Sequence, residues 1–163
     1  MDVQLIGFRV GSQYYAVNIL SVVQIILPRE PVKVAQAPPF VEGVIRLRNL
    51  VIPVVDLRRR FNVEVSERRK NRIIVLRLDS GEDAQHLGLV VDEATQVIRT
   101  ETEKFLRAPQ VLTEGDAAYS GDVYQDAEQR LYMVLDIGRI LTPVERRQLE
   151  SELSTSQMPA EGS

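Results

Sequence analysis

Few side chains in this sequence could support catalysis. His86 is the only histidine and cysteine is absent, which excludes the usual zinc ligand sets and a cysteine nucleophile. Asp92 and Glu93 are adjacent, and adjacent strand residues point to opposite faces, so they are not expected to share a substrate unless a turn falls there. No glycine-rich phosphate loop occurs. We therefore predict no catalytic residue, no metal site and no cofactor, and interpret His86 as structural or surface-lying.

Two aspartates recur at corresponding places, each between a short apolar run and a possible helical turn. Asp56 follows Leu50 to Val55, and Asp136 follows Arg130 to Leu135. Two carboxylates could work together as an acid and a base. Alternatively, each aspartate is an N-cap that accepts from a backbone N–H left unpaired by the first helical turn. We favour the capping interpretation because it explains both copies.

The composition is that of a globular protein. Apolar residues make up 44% of the 163 residues, charged residues make up 26%, and the formal net charge is −3. A negative net charge argues against general nucleic-acid binding. No apolar segment approaches the roughly 18 residues that span a bilayer, and the first residues lack the pattern of a signal peptide. We predict a cytoplasmic protein with no direct membrane insertion.

The apolar residues follow a period of two, which is typical of strands. Four hairpins are predicted, with connections at residues 11–13, 48–49, 79–83 and 125–129. Many short strands separated by turn residues indicate an all-β protein built as barrels or as a sandwich. Pro53 is expected to place its strand at a sheet edge or a bulge, because proline cannot donate to a ladder.

Helical signals are limited to single turns and one C-terminal helix. Thr142 and Glu145 have the spacing of a capping box, and Pro143 suits the first helical position. We therefore predict a helix over residues 142–153. Residues 1–141 form one predicted domain, and the small polar residues 154–163 are predicted to be a disordered tail.

The two halves of the chain resemble each other in sequence. At an offset of 72 residues in the sequence, Tyr15 to Val17 matches Leu87 to Leu89, and Val23 to Ile26 matches Thr95 to Ile98. At an offset of 80 residues, the run that ends in Asp56 matches the run that ends in Asp136. The shared order of elements indicates two related small barrels with a groove between them.

Two groups of basic residues could recognise a partner. Arg46 and Arg48 are two apart and would share one face of an edge strand, where they suit carboxylate recognition or protect the edge from aggregation. Seven basic residues lie between Arg58 and Arg72 against two acidic ones. This 58–72 stretch supports an alternative function, a small nucleic-acid-binding barrel. Such barrels normally stack bases on aromatic side chains, and Phe61 is the only aromatic there.

The segment from Phe40 to Phe61 resembles the signature of the CheW family. In that signature a proline-rich entry leads to Gly-Val-Ile-Asn-Leu-Arg-Gly and then to Pro-Val-x-Asp-Leu-Arg. The matching residues here are Gly43, Val44, Ile45, Leu47 and Arg48, then Pro53, Val54, Asp56, Leu57 and Arg58. Residues 88–93 are similar to the family's Gly-x-x-Val-Asp segment, and residues 135–137 to its closing strand. The likeness covers about Val3 to Leu141.

The resemblance implies a fold, a function and partners. The fold would be all-β, with two intertwined SH3-like five-stranded β-barrels, short helical turns and a C-terminal helix. The function would be that of a non-catalytic adaptor that couples chemoreceptors to the histidine kinase CheA. The partners would be the regulatory domain of that kinase, itself built from CheW-like barrels, and the cytoplasmic tip of the receptors. The chain alone would be a monomer and would work within a larger array, without nucleic acid.

The resemblance also implies a protein-binding site in the groove between the barrels. Gly43 and Arg48 occupy positions of functional importance there, and Gln24 stands where the family often has Glu. Arg46 replaces the usual Asn, and Asn49 replaces the usual Gly. Because Asn tolerates a positive φ better than most residues do, we expect the turn to survive with Asn49 in the left-handed region.

Overall fold

The computed structural model describes residues 1–64, 70–79, 85–109 and 119–148. Eleven strands lie within these ranges: β1 Asp2–Val10, β2 Gln13–Asn18, β3 Val22–Ile26, β4 Gly43–Leu47, β5 Leu50–Asp56, β6 Arg72–Arg77, β7 His86–Val91, β8 Glu93–Glu101, β9 Leu106–Arg107, β10 Tyr119–Gln125 and β11 Leu131–Leu135. The helical elements are a short helix α1 at Leu57–Arg60, a helix α2 over residues 143–148, and 3₁₀ turns at Ile19–Ser21, Thr102–Lys104 and Ile137–Arg139.

The strands form two sheets, and this confirms the predicted all-β class. The first sheet has the order β8-β1-β2-β11-β10-β9, and the second has the order β3-β6-β7-β5-β4. Each sheet has five principal strands, to which the first adds the two-residue β9. Within the described ranges neither sheet closes on itself, so both are open versions of the expected barrels.

The sheets are interlocked because each contains strands from both halves of the chain. β1 and β2 form an antiparallel hairpin, and β3 then crosses to pair with β6 in the other sheet. β6 and β7 form the corresponding hairpin, and β8 crosses back to pair with β1. The last strand of each half pairs in parallel with the opposite hairpin, β5 with β7 and β11 with β2. The strand order thus reproduces the internal repeat seen in the sequence.

The main apolar core lies between the two sheets. It combines residues of the first sheet, such as Phe8 and Val17, with residues of the second, such as Leu76 and Leu89, all of which are fully buried. Each sheet also has a smaller cluster of its own, which contains Tyr132 in the first sheet and Ile73 in the second. Central strands are therefore covered on both faces, which explains the continuous apolar run of β6.

Pro53 lies inside its sheet, so the prediction of an edge or a bulge is wrong. It belongs to β5, between β7 and β4 in the strand order. Its partner on β4 is Val44, whose own N–H and carbonyl exchange hydrogen bonds with Val32 instead. The parallel pairing with β7 begins only at Val54. Proline is tolerated because no described ladder bond needs its missing N–H.

The helix α2 begins where the capping box predicted. The backbone N–H of Thr142 donates to Glu145 Oε1 at 2.9 Å, and the Glu145 N–H donates to Thr142 Oγ1 at 3.1 Å. Glu145 also binds Arg60 of α1, and Arg146 binds Asp79 at 2.7 Å. The remaining part of the helix predicted over 142–153 and the predicted tail 154–163 lie outside the described residues.

Candidate protein-binding surface and a buried arginine junction

The β4–β5 hairpin carries three of the four residues predicted for partner binding. Leu47 pairs with Leu50 across a two-residue loop formed by Arg48 and Asn49. Arg48 has a φ of 57°, whereas the φ of Asn49 is not positive. The turn therefore survives with Asn49 in place of the usual Gly, as expected, but Arg48 rather than Asn49 takes the positive φ. A positive φ at the first loop residue alone is the pattern of a type II′ turn, whose twist suits a hairpin.

Arg46 and Arg48 do not share a strand face, because β4 ends at Leu47 and Arg48 lies in the loop. The two arginines are nevertheless close, since Arg46 Nε donates to the Arg48 carbonyl at 3.3 Å. Both side chains are at least partly exposed. The contact that joins the two residues is therefore between the Arg46 side chain and the Arg48 backbone, not between two side chains on one strand face.

Gly43 allows a close approach between two backbone segments. Its φ is 151°, and a Cβ at this position would lie 2.5 Å from the carbonyl oxygen of Val32. Val32 and Val44 exchange backbone hydrogen bonds of 2.8 and 2.9 Å just beside it. A side chain at residue 43 would therefore displace the strand-like segment that covers the edge of β4.

Gln24 is exposed on β3, which lies at the opposite edge of the same sheet. No described hydrogen bond joins it to Gly43, Arg46 or Arg48. The segment after β3 does reach the hairpin, because Arg29 Nη1 donates to the Arg46 carbonyl at 2.8 Å. Sequence reasoning missed Arg29, since it lies 17 residues before Arg46 in a proline-rich segment without periodicity.

Arg58, counted in the sequence as part of a basic surface, is buried. Its side chain is 7% exposed, and Nε and Nη2 donate to the two carboxylate oxygens of Asp56 at 2.9 Å each. Nη1 also lies 3.4 Å from Asp92 Oδ1. The hydrogen bond to Asp56, together with both carboxylate charges, raises the pKa of Arg58 above its ordinary value. The group therefore carries its charge at every physiological pH.

Asp92 joins this buried arginine to the other sheet. It lies between β7 and β8, where the chain crosses from the second sheet to the first. Its Oδ2 accepts from the Gly11 backbone N–H at 2.6 Å, and its own N–H donates to the Arg9 carbonyl at 3.0 Å. The half-exposed Glu93 instead pairs with Arg9 and Lys70. The two adjacent carboxylates thus have separate structural roles.

Three further cations of the 58–72 stretch also meet carboxylates. Arg59 lies 3.1 Å from Glu42, and Lys70 lies 3.6 Å from Glu93. Arg60 forms a bidentate pair with Glu145, through hydrogen bonds of 2.9 and 2.6 Å. These pairs offset much of the positive charge that the alternative function required, while residues 65–69 lie outside the described ranges.

The recurring aspartates act as caps, as predicted. Asp56 Oδ1 accepts from the Arg58 N–H at 2.9 Å, and Asp136 Oδ1 accepts from the Gly138 N–H at 3.0 Å. They lie at the ends of strands of different sheets, and each carboxylate is bound to the backbone of its own turn. Asp56 has the additional role of holding Arg58, which Gly138 cannot reproduce at the equivalent position in the second half.

His86 is half-buried on β7, where it pairs with Arg77 across the β6–β7 hairpin. Among the described residues no group of three acidic, histidine or cysteine side chains could hold a metal ion. In the same part of the chain no helix is long and apolar enough to cross a bilayer.

The fold and the site define an all-β domain of two interlocked sheets with an exposed arginine hairpin. The family model described as "CheW-like domain" matches residues 4–145. The chain therefore belongs to the CheW-like domain family.

Curated relatives agree with this assignment, and a solved structure agrees with the fold. The "Chemotaxis protein CheW" of Bacillus subtilis is 33% identical over 85% of this chain and 86% of its own length. The protein of the same name in Treponema pallidum is 28% identical over 90% of this chain and 86% of its own length. The crystal structure of scaffolding protein TtCheW from Thermoanaerobacter tengcongensis matches with a TM-score of 0.75 and 23% identity, covering 89% of this chain and 91% of that one.

Proposed function

We propose that this protein is a non-catalytic adaptor in chemosensory signal transduction, which couples chemoreceptors to a CheA-type histidine kinase in the cytoplasm. The observation that carries the proposal is the family match over residues 4–145, nearly the whole chain. The names of the relatives and of the solved scaffolding protein support it. An adaptor of this kind raises the effective concentration of one partner near the other and fixes their relative geometry.

The β4–β5 hairpin is the receptor-facing surface in this proposal. Arg46 and Arg48 supply guanidinium groups at the surface, which suit bidentate recognition of carboxylates. Gly43 acts indirectly, by letting the Val32 segment lie against the edge of β4. Gln24 belongs to a separate part of the surface on β3, so its contribution to receptor binding is proposed as independent of the hairpin.

The kinase-facing surfaces are proposed to use exposed apolar residues that recur in the two halves. Ile25 on β3 is 37% exposed, and Val97, its equivalent at an offset of 72 residues, is 52% exposed on β8. Apolar residues at the centre of a patch with a polar rim are typical of modest protein interfaces.

Calorimetric titration tests the adaptor function directly. The protein is titrated with the regulatory domain of the CheA kinase of the same organism, and separately with the cytoplasmic tip of one of its chemoreceptors. Saturable binding to both is expected, with Arg48→Glu weakening receptor binding and leaving kinase binding unchanged. Arg99→Glu is the matched control for receptor binding, since Arg99 is an exposed arginine on the edge strand β8 of the other sheet.

Two outcomes would contradict the proposal, the first as a whole and the second in part. A folded wild-type protein that binds neither partner at high concentration would remove the adaptor function. Binding of both partners with full affinity by a folded Arg48→Glu variant would keep the adaptor and move the receptor surface away from the hairpin.

A further inference from the structure

We propose that Arg29, Arg46 and Arg48 form one cationic surface that recognises a carboxylate-bearing segment of the receptor. The inference rests on the proposed function, because it assigns the partner's chemistry at the receptor-facing hairpin. Arg29 is the new member of this arginine surface. Nothing in the sequence motif around the hairpin indicates its participation.

The guanidinium groups of Arg29 and Arg46 are held by backbone carbonyls rather than by acidic side chains. Arg29 Nη1 donates to the Arg46 carbonyl, and Arg46 Nε donates to the Arg48 carbonyl. Within the described part of the chain, these two bonds leave Nε and Nη2 of Arg29 available on one side of its guanidinium, and both terminal nitrogens of Arg46 available on another. Each arginine therefore keeps a two-donor edge that matches the geometry of a carboxylate.

The arginine surface lacks counter-charges within the described part of the chain. No described carboxylate lies within ion-pair distance of Arg29, Arg46 or Arg48, although Glu30 is next to Arg29 in the sequence. Several arginines elsewhere are paired with carboxylates, as Arg60 is with Glu145 and Arg107 is with Asp122. Like charges held together repel one another, and an acidic partner relieves that repulsion on binding.

The surroundings of the arginine surface favour a protein segment over a nucleic acid. Leu50 and Val51 of the same hairpin are 42% and 40% exposed, and they add apolar area beside the charges. Residues 43–56 contain no aromatic side chain on which a base could stack. An acidic segment with neighbouring apolar residues fits both features, whereas a phosphate backbone uses only the charges.

The two backbone bonds also reduce the entropic cost of binding. An unrestrained arginine loses most of its rotamer freedom when it grips a carboxylate. Arg29 and Arg46 are already restrained by the carbonyls that accept from them, so less freedom remains to be lost. The same restraint couples the residues, because removing the Arg29 guanidinium removes the donor to the Arg46 carbonyl.

The test measures how salt affects receptor binding. A recombinant cytoplasmic tip of a chemoreceptor from the same organism is titrated at about 0.05 M and about 0.5 M NaCl, a range over which screening of exposed charges increases strongly. Arg29→Gln, Arg46→Gln and Arg48→Gln are compared with Arg99→Gln as the matched control. Each variant of the arginine surface is expected to lose about two- to five-fold in affinity at low salt and less at high salt, while Arg99→Gln resembles the wild type.

A second arm changes the partner. The same receptor tip is prepared with its Asp and Glu residues replaced by Asn and Gln. The wild-type chain is expected to lose affinity for this neutralised tip, and Arg29→Gln is expected to cause little further loss because its partner charge is already gone.

Three other outcomes would each overturn a different part of the proposal. Receptor binding with an unaltered salt dependence in all three variants would overturn the arginine surface while leaving the adaptor function intact. Wild-type protein that binds neither the receptor tip nor the kinase domain would overturn both. Tighter binding to a single-stranded oligonucleotide than to the receptor tip, lost in Arg29→Gln, would overturn the acidic partner and assign the surface to phosphates instead.

Discussion

Arg58 and Asp56 form a buried ion pair in which two hydrogen bonds of 2.9 Å join the guanidinium to both carboxylate oxygens. The side chains are 7% and 6% exposed. Asp92 completes the site from the crossover between the sheets, so one arginine side chain joins the end of β5, the crossover and, through Asp92, the β1–β2 turn. The arrangement is a structural junction, although its sequence position suggested a basic surface.

Removal of the Arg58 side chain is expected to destabilise the fold severely. Arg58→Ala leaves the carboxylates of Asp56 and Asp92 buried near each other without a counter-ion, which costs about 3 kcal/mol or more. Urea unfolding followed by circular dichroism measures the loss. Arg59→Ala is the matched control, because its side chain is 66% exposed and should cost less than about 1 kcal/mol. Equal losses in the two variants would contradict a structural role for the buried pair.

Gly43→Ala is expected to reduce the stability of the fold rather than to remove a direct contact with a partner. The added Cβ would meet the Val32 carbonyl, and the φ of 151° is one that L residues rarely adopt, so a loss of about 1–3 kcal/mol follows. Gly138→Ala is the control, since its nearest described contact would be an ordinary 3.5 Å. Thermal unfolding of both variants distinguishes them. A Gly43→Ala protein with wild-type stability and lost receptor binding would instead show a direct binding role.

The ion pair between Arg60 and Glu145, which joins α2 to α1, is expected to weaken in acid. The hydrogen bond from Arg60 lowers the pKa of Glu145 below its ordinary value of 4.5. A lowered pKa means that the ion pair contributes fully at pH values above 4.5 and that the contribution is lost as the pH falls through the folded-state value. The difference in unfolding free energy between wild type and Glu145→Gln should therefore be constant near neutrality and shrink in acid.

The Glu145→Gln variant isolates the charge, because glutamine keeps an oxygen that can accept from the Thr142 N–H. Glu30→Gln serves as the control, since Glu30 is exposed and has no ion pair with a described residue. Its unfolding free energy near neutrality should be close to that of the wild type, because the substitution removes no ion pair with a described residue. If the Glu145→Gln difference stayed constant down to the acid transition, the Arg60–Glu145 pair would contribute nothing to stability.

Arg48→Gly is expected to weaken receptor binding without destabilising the fold. A non-glycine residue at a φ of 57° carries a backbone cost that glycine avoids, partly offset by the greater freedom of glycine in the unfolded chain. Chemical unfolding should therefore show unchanged or slightly higher stability, while receptor affinity falls because the guanidinium is gone. Arg46→Gly, within the strand, should lose stability as well. A strongly destabilised Arg48→Gly protein would contradict the assigned turn geometry.

Much of the fold follows from local patterns in the sequence. The period of two places the strands of the four hairpins, and the aspartates and Thr142 mark the caps, because these signals depend on residues close together in the chain. The interlocking of the sheets was indicated only by the internal repeat. The interior position of Pro53 could not be predicted, since it depends on Val32, a residue 21 positions away, taking the hydrogen bonds of its partner Val44.

The candidate site was predictable in part, for the same reason. The motif indicated Gly43 and Arg48, but the left-handed residue was assigned to Asn49 from its type alone. The burial of Arg58 depends on Asp92, which is 34 residues away, and a charged residue in a basic run gives no local sign of such a partner. Aspartate at the end of the apolar run 87–91 was the available signal, because a charge there is unusual unless it is paired.

β3 and β8 each pair in the sheet opposite to the hairpin that precedes them, and this affects the order in which the sheets can form during translation. While the ribosome has released only the first half, the β1–β2 hairpin lacks β8 and β11, and β5 lacks β7. Apolar strand edges then stay exposed until β6, β7, β8 and β11 emerge, and exposed edges of this kind attract other chains. The second sheet therefore has all its strands once β7 is released, whereas the first sheet stays incomplete until β11 emerges.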